Sequence, residues 1–285
     1  MNRVRVFALK LWNYDLPRLK KRFFSYRGVR KFFSGRNASS ISDNYFFPQF
    51  CKKVAKSDKF WNFRQSTLFQ EILEHTSYEQ GINYIQNILN MGFDYNFIRK
   101  CIRDDFVGNP NQFNYKNLGL TCPSNLRYAN VLADLINKFR NLNHFSIVEI
   151  GGGYGGQARL IRKFFPSVNY TIIDLPEVLL LTERYLYESD YSHMYKFVSA
   201  FDLKSIECDL LISNYAFSEL SRKNQFEYLN KIILKSRRGY MIYTTVSPPD
   251  LNSLSLSEVL REIPKSAAFP ESPSTGPGNT LIYWN

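Results

Sequence analysis

Metal-ligand chemistry is scarce in this chain. Its three histidines, His75, His144 and His193, stand alone, and its four cysteines, Cys51, Cys101, Cys122 and Cys208, include no C-x-x-C pair. That spacing argues against a zinc frame and a disulfide scaffold, so reduced, buried thiols and no dedicated metal site are expected. Long apolar runs are missing too. No stretch nears the roughly 18 apolar residues of a membrane-spanning helix, and Lys10 interrupts the short run Val6–Leu9 that a signal peptide would have to extend. The expected compartment is the cytoplasm. There is no internal repeat and no low-complexity tract.

What is present suits a folded protein: 285 residues, 44% apolar and 22% charged, enough for two units or for one large α/β domain with an extension. The formal charge of +12 points toward nucleic acid until it is located. Residues 1–36 hold eleven basic residues against Asp15 alone, a charge of +10, which leaves +2 for the other 249. Proteins that track phosphates concentrate their basic residues on the binding domain, so no nucleic-acid partner is expected for this nearly neutral body. The leader interleaves its charges with Phe7, Leu9, Leu11, Trp12, Phe23 and Phe24. It reads as a basic amphipathic segment facing a membrane surface or a partner, or as a solvated basic face.

Three regions follow: a basic leader and linker (1–45), a helical region (46–122) and a ligand-binding domain (123–285). In the second region apolar residues recur at helical spacing, as in Phe60, Phe63, Leu68 and Ile72, and again in Ile82, Ile85, Ile88 and Leu89. Asp104–Tyr115 reads as a loop, and Ser124 as the cap of a helix over Asn125–Phe139. From His144 onward strands (Phe145–Ile150, Tyr170–Asp174, Lys196–Val198, Leu210–Ser213, Tyr240–Val246) alternate with helices (Gln157–Phe164, Glu177–Tyr187, Arg222–Lys235). Such alternation predicts a parallel sheet covered by helices. A helix over Leu254–Ile263 and a Pro/Gly-rich turn then lead to Thr280–Trp284, which is more easily an antiparallel return strand than another crossover.

The densest signal is Ile147-Val148-Glu149-Ile150-Gly151-Gly152-Gly153-Tyr154-Gly155-Gly156-Gln157. An apolar strand enters five glycines in six residues and opens a helix, where a ligand can lie against bare backbone. Asp174 ends the next strand, placed to accept hydrogen bonds from a ribose. Gly151, Gly153 and Gly156 with Asp174 also satisfy the dinucleotide fingerprint, so a nicotinamide-dependent oxidoreductase stays open. Three features favour S-adenosylmethionine, the third being the polar segment after the fourth strand. Glu149 would repel a pyrophosphate but attract a ligand carrying sulfonium and ammonium groups, and the expected antiparallel last strand ends the chain as Rossmann-like methyltransferases end. The polar segment Asn214-Tyr215-Ala216-Phe217-Ser218-Glu219 follows the fourth strand, on the edge where an acceptor would lie. It lacks the proline pair with which base-amine methyltransferases hold a flipped base.

The strings VEIGGGYGGQARLI (148–161), YTIIDLPEVLLL, LLISNYAFSELSR, ILKSRRGYMIY and GPGNTLIYW, with ILEHTSYEQG (72–81), GNPNQFNY (108–115) and PSNLRYANVLADL (123–135), resemble the sugar O-methyltransferases of bacterial polysaccharide and lipopolysaccharide biosynthesis. The resemblance spans residues 46–285. It implies a Rossmann-like methyltransferase fold with a mostly parallel seven-stranded sheet and an antiparallel terminal strand, preceded by a helical region. It also implies transfer from S-adenosylmethionine to a sugar or glycan hydroxyl. The leader lies outside the resemblance, and its charge is read as an address that holds the enzyme at the inner membrane face or at a glycan-assembly partner. A non-catalytic scaffold of the same fold is the remaining alternative, and the oligomeric state is open.

A sulfonium methyl is already activated, so the protein must align the hydroxyl and take its proton. The candidates for that base are His75 and Glu219, with Tyr215 and Asn214 as positioning groups. For the donor, Glu149, Gly151, Gly153 and Gly155 are assigned to the methionine end and its turn, Asp174 and Leu175 to the ribose and adenine, and Asn214 to the cofactor as well. Ala200, Phe201 and Asp202 are expected to flank the adenine.

Overall fold

The strand expected before the glycines forms as Ser146–Ile150 (β3) and shows why it reads as continuous apolar sequence. Ile147 packs into one buried cluster, Val148 and Ile150 into another, so both faces of the sheet are covered. The structure is a computed structural model that describes residues 46–189, 194–245, 247 and 249–285. All of these fall in one compact unit. The expected leader, His193 and the expected strand end Val246 lie outside the described residues.

Helices α1 (Phe46–Ala55), α2 (Thr67–Ile72), α3 (Tyr78–Asn90) and α4 (Tyr95–Ile102), with a 3-10 segment over Asp58–Gln65, build the helical region. Helix α3 starts with a capping box, Ser77 and Gln80 each bonding the other's backbone N–H. Part of the expected loop is instead a hairpin of β1 (Phe113–Tyr115) and β2 (Gly119–Thr121), too short to show a period in sequence. Helix α5 runs over Pro123–Phe139. Ser124 does not cap it: the N-cap is Cys122, Pro123 takes the first turn, and the Ser124 hydroxyl is buried without a partner.

Beyond β3 come α6 (Gly156–Phe164), β4 (Asn169–Asp174), α7 (Pro176–Glu188), β5 (Tyr195–Ser199), β6 (Cys208–Asn214), α8 (Arg222–Lys231), β7 (Ser236–Thr244), α9 (Leu256–Glu262), β8 (Ala267–Pro270) and β9 (Asn279–Trp284). The seven-stranded sheet has the order β5-β4-β3-β6-β7-β9-β8. β3 to β7 are mutually parallel, and β9 is antiparallel to both its neighbours. This is the Rossmann-like methyltransferase arrangement that the sequence implied. An antiparallel strand set inside the sheet edge separates it from the parallel dinucleotide sheet, where the sixth strand follows the fifth. The order reverses at β3 and β6, whose carboxyl ends open the crevice where such sheets bind ligands.

One core joins the helical region to the sheet. Phe60, Phe63, Phe69, Ile88 and Ile98 share a buried cluster with Ile147, Ile172 and Leu210. At its centre is the fully buried Arg64, paired with Glu74 at 2.5 Å and Asp105 at 3.1 Å. Asp105 also accepts from the Tyr185 hydroxyl at 2.7 Å and faces Arg159 at 3.6 Å. The segment ending at Glu74, next to His75, is thereby tied to α6 and α7. Among the described residues no helix is long and apolar enough to cross a membrane.

Candidate functional site

The glycine turn after β3 is held from two sides. Gly151 has φ +72°, and a side chain there would meet the Cβ of Ala216 beyond β6, so only glycine admits this close approach. Its N–H donates to the Ile173 carbonyl at 2.8 Å, which binds the turn to β4. Gly153, at φ +55°, donates its N–H to Asp174 Oδ2 at 2.9 Å, while Leu175 N–H donates to Asp174 Oδ1 at 2.8 Å. Each carboxylate oxygen keeps a further lone pair for a ligand. Burial pushes the Asp174 pKa up to about 6, against the two N–H donors that lower it.

Glu149 is 3% exposed and accepts the Tyr170 hydroxyl at 3.0 Å. Burial pushes its pKa up to about 7; the Tyr170 bond lowers it and the Asp174 charge raises it. A carboxyl this far from water wants a cationic partner.

A cavity of about 580 Å³ opens over these groups. Its walls include Glu149, Gly151, Gly153, Asp174, Leu175, Ala200, Phe201, Asn214, Tyr215, Glu219 and His75, so most of the expected site residues converge. Two do not line it. Gly155 caps α6, where a side chain would lie 3.1 Å from Thr182 and Leu186, so it shapes the turn against α7 rather than facing a ligand. Asp202 ends a short 3-10 turn outside the lining, whereas Phe201 just before it is 70% exposed at the cavity.

On the far side of the crevice, Tyr215 adopts φ +71° directly after β6. Its hydroxyl donates to Glu271 and lies 3.0 Å from Thr275 Oγ1, joining β6 to the segment between β8 and β9. Burial holds its pKa well above the usual tyrosine value, so it serves as a neutral donor and acceptor. His75 is exposed at the cavity. Packing into the wall and then the Arg127 charge nevertheless hold its pKa below the usual histidine value, and a bond to the Ile72 backbone only partly offsets them. It is therefore a neutral imidazole at pH 7, with one nitrogen engaged by backbone and one able to take a proton.

Sequence reading missed Arg127, Tyr128, Gln157, Thr275 and Asn279, which also line the cavity. Two acceptors in this lining, Asn214 Oδ1 and Gln157 Oε1, are buried without a hydrogen-bond partner. Orphaned oxygens in the cavity that Glu149 also lines fit a ligand that brings N–H donors and positive charge. The amino-acid end of S-adenosylmethionine is such a group.

Comparison with known proteins agrees with this chemistry. Residues 111–214 match an O-methyltransferase domain. That family takes its methyl group from S-adenosylmethionine. Acetylserotonin O-methyltransferase 1 of Oryza sativa subsp. japonica is 31% identical over 80 residues, 28% of this chain and 21% of that protein. The chain thus matches about a fifth of the length of its curated relatives. Among solved structures, an O-methyltransferase family protein from Burkholderia thailandensis is similar over 55% of each chain at 11% identity and a TM-score of 0.42. The O-methyltransferase NcsB1 of neocarzinostatin biosynthesis, solved with S-adenosyl-L-homocysteine and 1,4-dihydroxy-2-naphthoic acid, is similar over 56% of this chain and 57% of that one at 14% identity and a TM-score of 0.40.

Proposed function

We propose that the chain is an S-adenosylmethionine-dependent O-methyltransferase whose acceptor is a sugar hydroxyl in glycan assembly. The observation that carries the donor half is the cavity at the β3/β6 reversal, where Glu149, Asp174 and two unpaired oxygens meet a bare glycine turn. The acceptor half is supported by the resemblance across residues 46–285 and by the lining beyond β6. Glu219, Asn224 and Asn279 add polar side chains to the lining there, which suits a ligand carrying several hydroxyls.

In this reading the donor, when bound, supplies a methyl group activated on sulfonium. The protein's own work is alignment and proton removal. Asp174 holds the ribose hydroxyls, and Glu149 with Asn214 receives the ammonium. His75 takes the proton from the acceptor hydroxyl; its free imidazole form at neutral pH suits that role better than a charged one would. Tyr215, fixed by Glu271 and Thr275, orients the acceptor. Residues 1–36 then act as an address, bringing the enzyme to anionic lipid or to an assembly partner.

A small acceptor that is not a sugar is the second reading, favoured by the acetylserotonin in the name of the relative above. Both readings are tested by incubating the full chain with deuterated-methyl donor and two acceptor sets, glycan intermediates and hydroxylated aromatics, followed by mass spectrometry. Label on a glycan hydroxyl supports the first and label on the aromatic set the second. A chain that binds NAD but not S-adenosylhomocysteine contradicts both.

A further inference from the structure

Arg127 lies on α5 and is the one lysine or arginine among the described residues lining the cavity. Its Nη2 donates to the Leu73 carbonyl at 3.1 Å, and its guanidinium lies 5.4 Å from the centroid of the Tyr128 ring. No described carboxylate pairs with it. Glu74 and Asp105, in the buried cluster behind Leu73 and His75, are committed to Arg64. The guanidinium also hydrogen-bonds the Tyr128 side chain; with five donors and a permanent charge, it keeps further donors for the cavity it lines.

Its position is fixed relative to the glycine turn. Leu73, whose carbonyl it holds, would stand 3.4 Å from a side chain on Gly153, and the adjacent Tyr128 ring lies against Gly156. On the other side Arg127 interacts electrostatically with Tyr215 beyond β6. Arg127 therefore lines the same cavity as the glycine turn after β3 and Tyr215 after β6, where a donor's amino-acid end would lie. That end is zwitterionic, and the other charged groups of the wall are the carboxylates Glu149, Asp174, Glu219 and Glu227. Those carboxylates suit the ammonium but would repel the donor's own carboxylate unless a cation compensates.

We propose that Arg127 seats the carboxylate of the donor's amino-acid end, so that the site recognises both charges of the zwitterion. The proposal rests on the donor-site reading above. It makes Arg127 a discriminator between intact donors and nucleosides that lack the carboxylate.

Calorimetric titration of the full chain with S-adenosylhomocysteine and with its decarboxylated analogue, which keeps the nucleoside, sulfur and ammonium, tests it. Wild-type protein should bind the intact ligand about tenfold or more tightly than the analogue. Arg127→Gln should remove that difference while leaving affinity for the analogue unchanged, and Arg127→Lys should restore part of it. Retained binding of the analogue also shows that the variant is folded. Equal losses for both ligands, or undiminished selectivity in Arg127→Gln, overturns the proposal alone. Wild-type protein that binds neither ligand overturns the donor-site reading along with it.

Discussion

Asp174 and Gly153 form the contact on which the cavity depends: a carboxylate oxygen at the end of β4 accepts the N–H of a left-handed glycine at 2.9 Å. The same side chain therefore shapes the turn and lines the cavity. Asp174→Ala should weaken S-adenosylhomocysteine binding by roughly ten- to a hundredfold, the range expected for loss of charge-assisted hydrogen bonds. Asp174→Asn, which keeps one acceptor oxygen, should fall between it and wild type. Calorimetry decides the point, and unchanged affinity in the alanine variant removes Asp174 from the site.

The buried carboxyls predict opposite pH trends for stability and binding. Glu149 titrates near 7 and Asp174 near 6, both above their ordinary values, so the folded chain holds protons that the unfolded chain has released. Stability should therefore rise as pH falls from 8 to 6, and the contribution from these two groups is lost as pH rises through their folded values. Donor affinity should move the other way, because protonation removes the charge that receives the ammonium. Above pH 7 the ionised Glu149 costs the fold roughly 3 kcal/mol. Glu149→Gln should accordingly raise the melting temperature at pH 8 by several degrees while weakening donor binding. A variant that melts lower at pH 8 contradicts this account of Glu149.

His75 carries the proton-transfer assignment. His75→Ala should lower turnover by at least about tenfold with donor affinity retained. With donor saturating, the acid limb of the wild-type turnover profile should lie below the ordinary histidine value, because burial and Arg127 disfavour the imidazolium. Glu219→Ala is the control for the rival base. Full activity in both variants excludes both assignments.

The Arg64 cluster makes a stability prediction independent of function. Arg64→Met leaves Glu74 and Asp105 buried without their shared cation and should destabilise the chain by about 3–5 kcal/mol. Chemical denaturation measures it, and a loss below about 1 kcal/mol would show that the cluster is not the tie between the helical region and the sheet.

Deleting residues 1–36 removes +10 of charge. The truncated chain should bind S-adenosylhomocysteine as wild type does but lose co-sedimentation with anionic lipid vesicles. Loss of donor binding would show that the leader belongs to the fold.

Strong backbone constraint is what made parts of this molecule legible in sequence. The turn from Gly151 to Gly156 and the carboxylate of Asp174 were readable because Gly151, Gly153 and Gly155 take left-handed backbone conformations that favour glycine and a strand end presents that side chain to them. The antiparallel β9 was readable from the tight turn before it. β8 was not, since Ala267–Pro270 is exposed throughout and shows no alternation. Arg127 was hidden for a different reason. A basic residue on an amphipathic helix looks like solvated surface until the fold turns that position inward, and Gln157 and Asn279 carry no spacing signal at all. The glutamate beside His75 looked equally ordinary, and only the tertiary structure pairs it with Arg64 across ten residues of sequence.

Methyl transfer to a sugar oxygen is decided by mass spectrometry of the surface glycan from cells with and without an intact copy of this gene. One O-methyl group should disappear from a defined sugar when the gene is lost, and return with wild-type protein but not with Asp174→Ala. A glycan unchanged in its methylation, alongside loss of a methyl group from a molecule that is not a sugar, would contradict it.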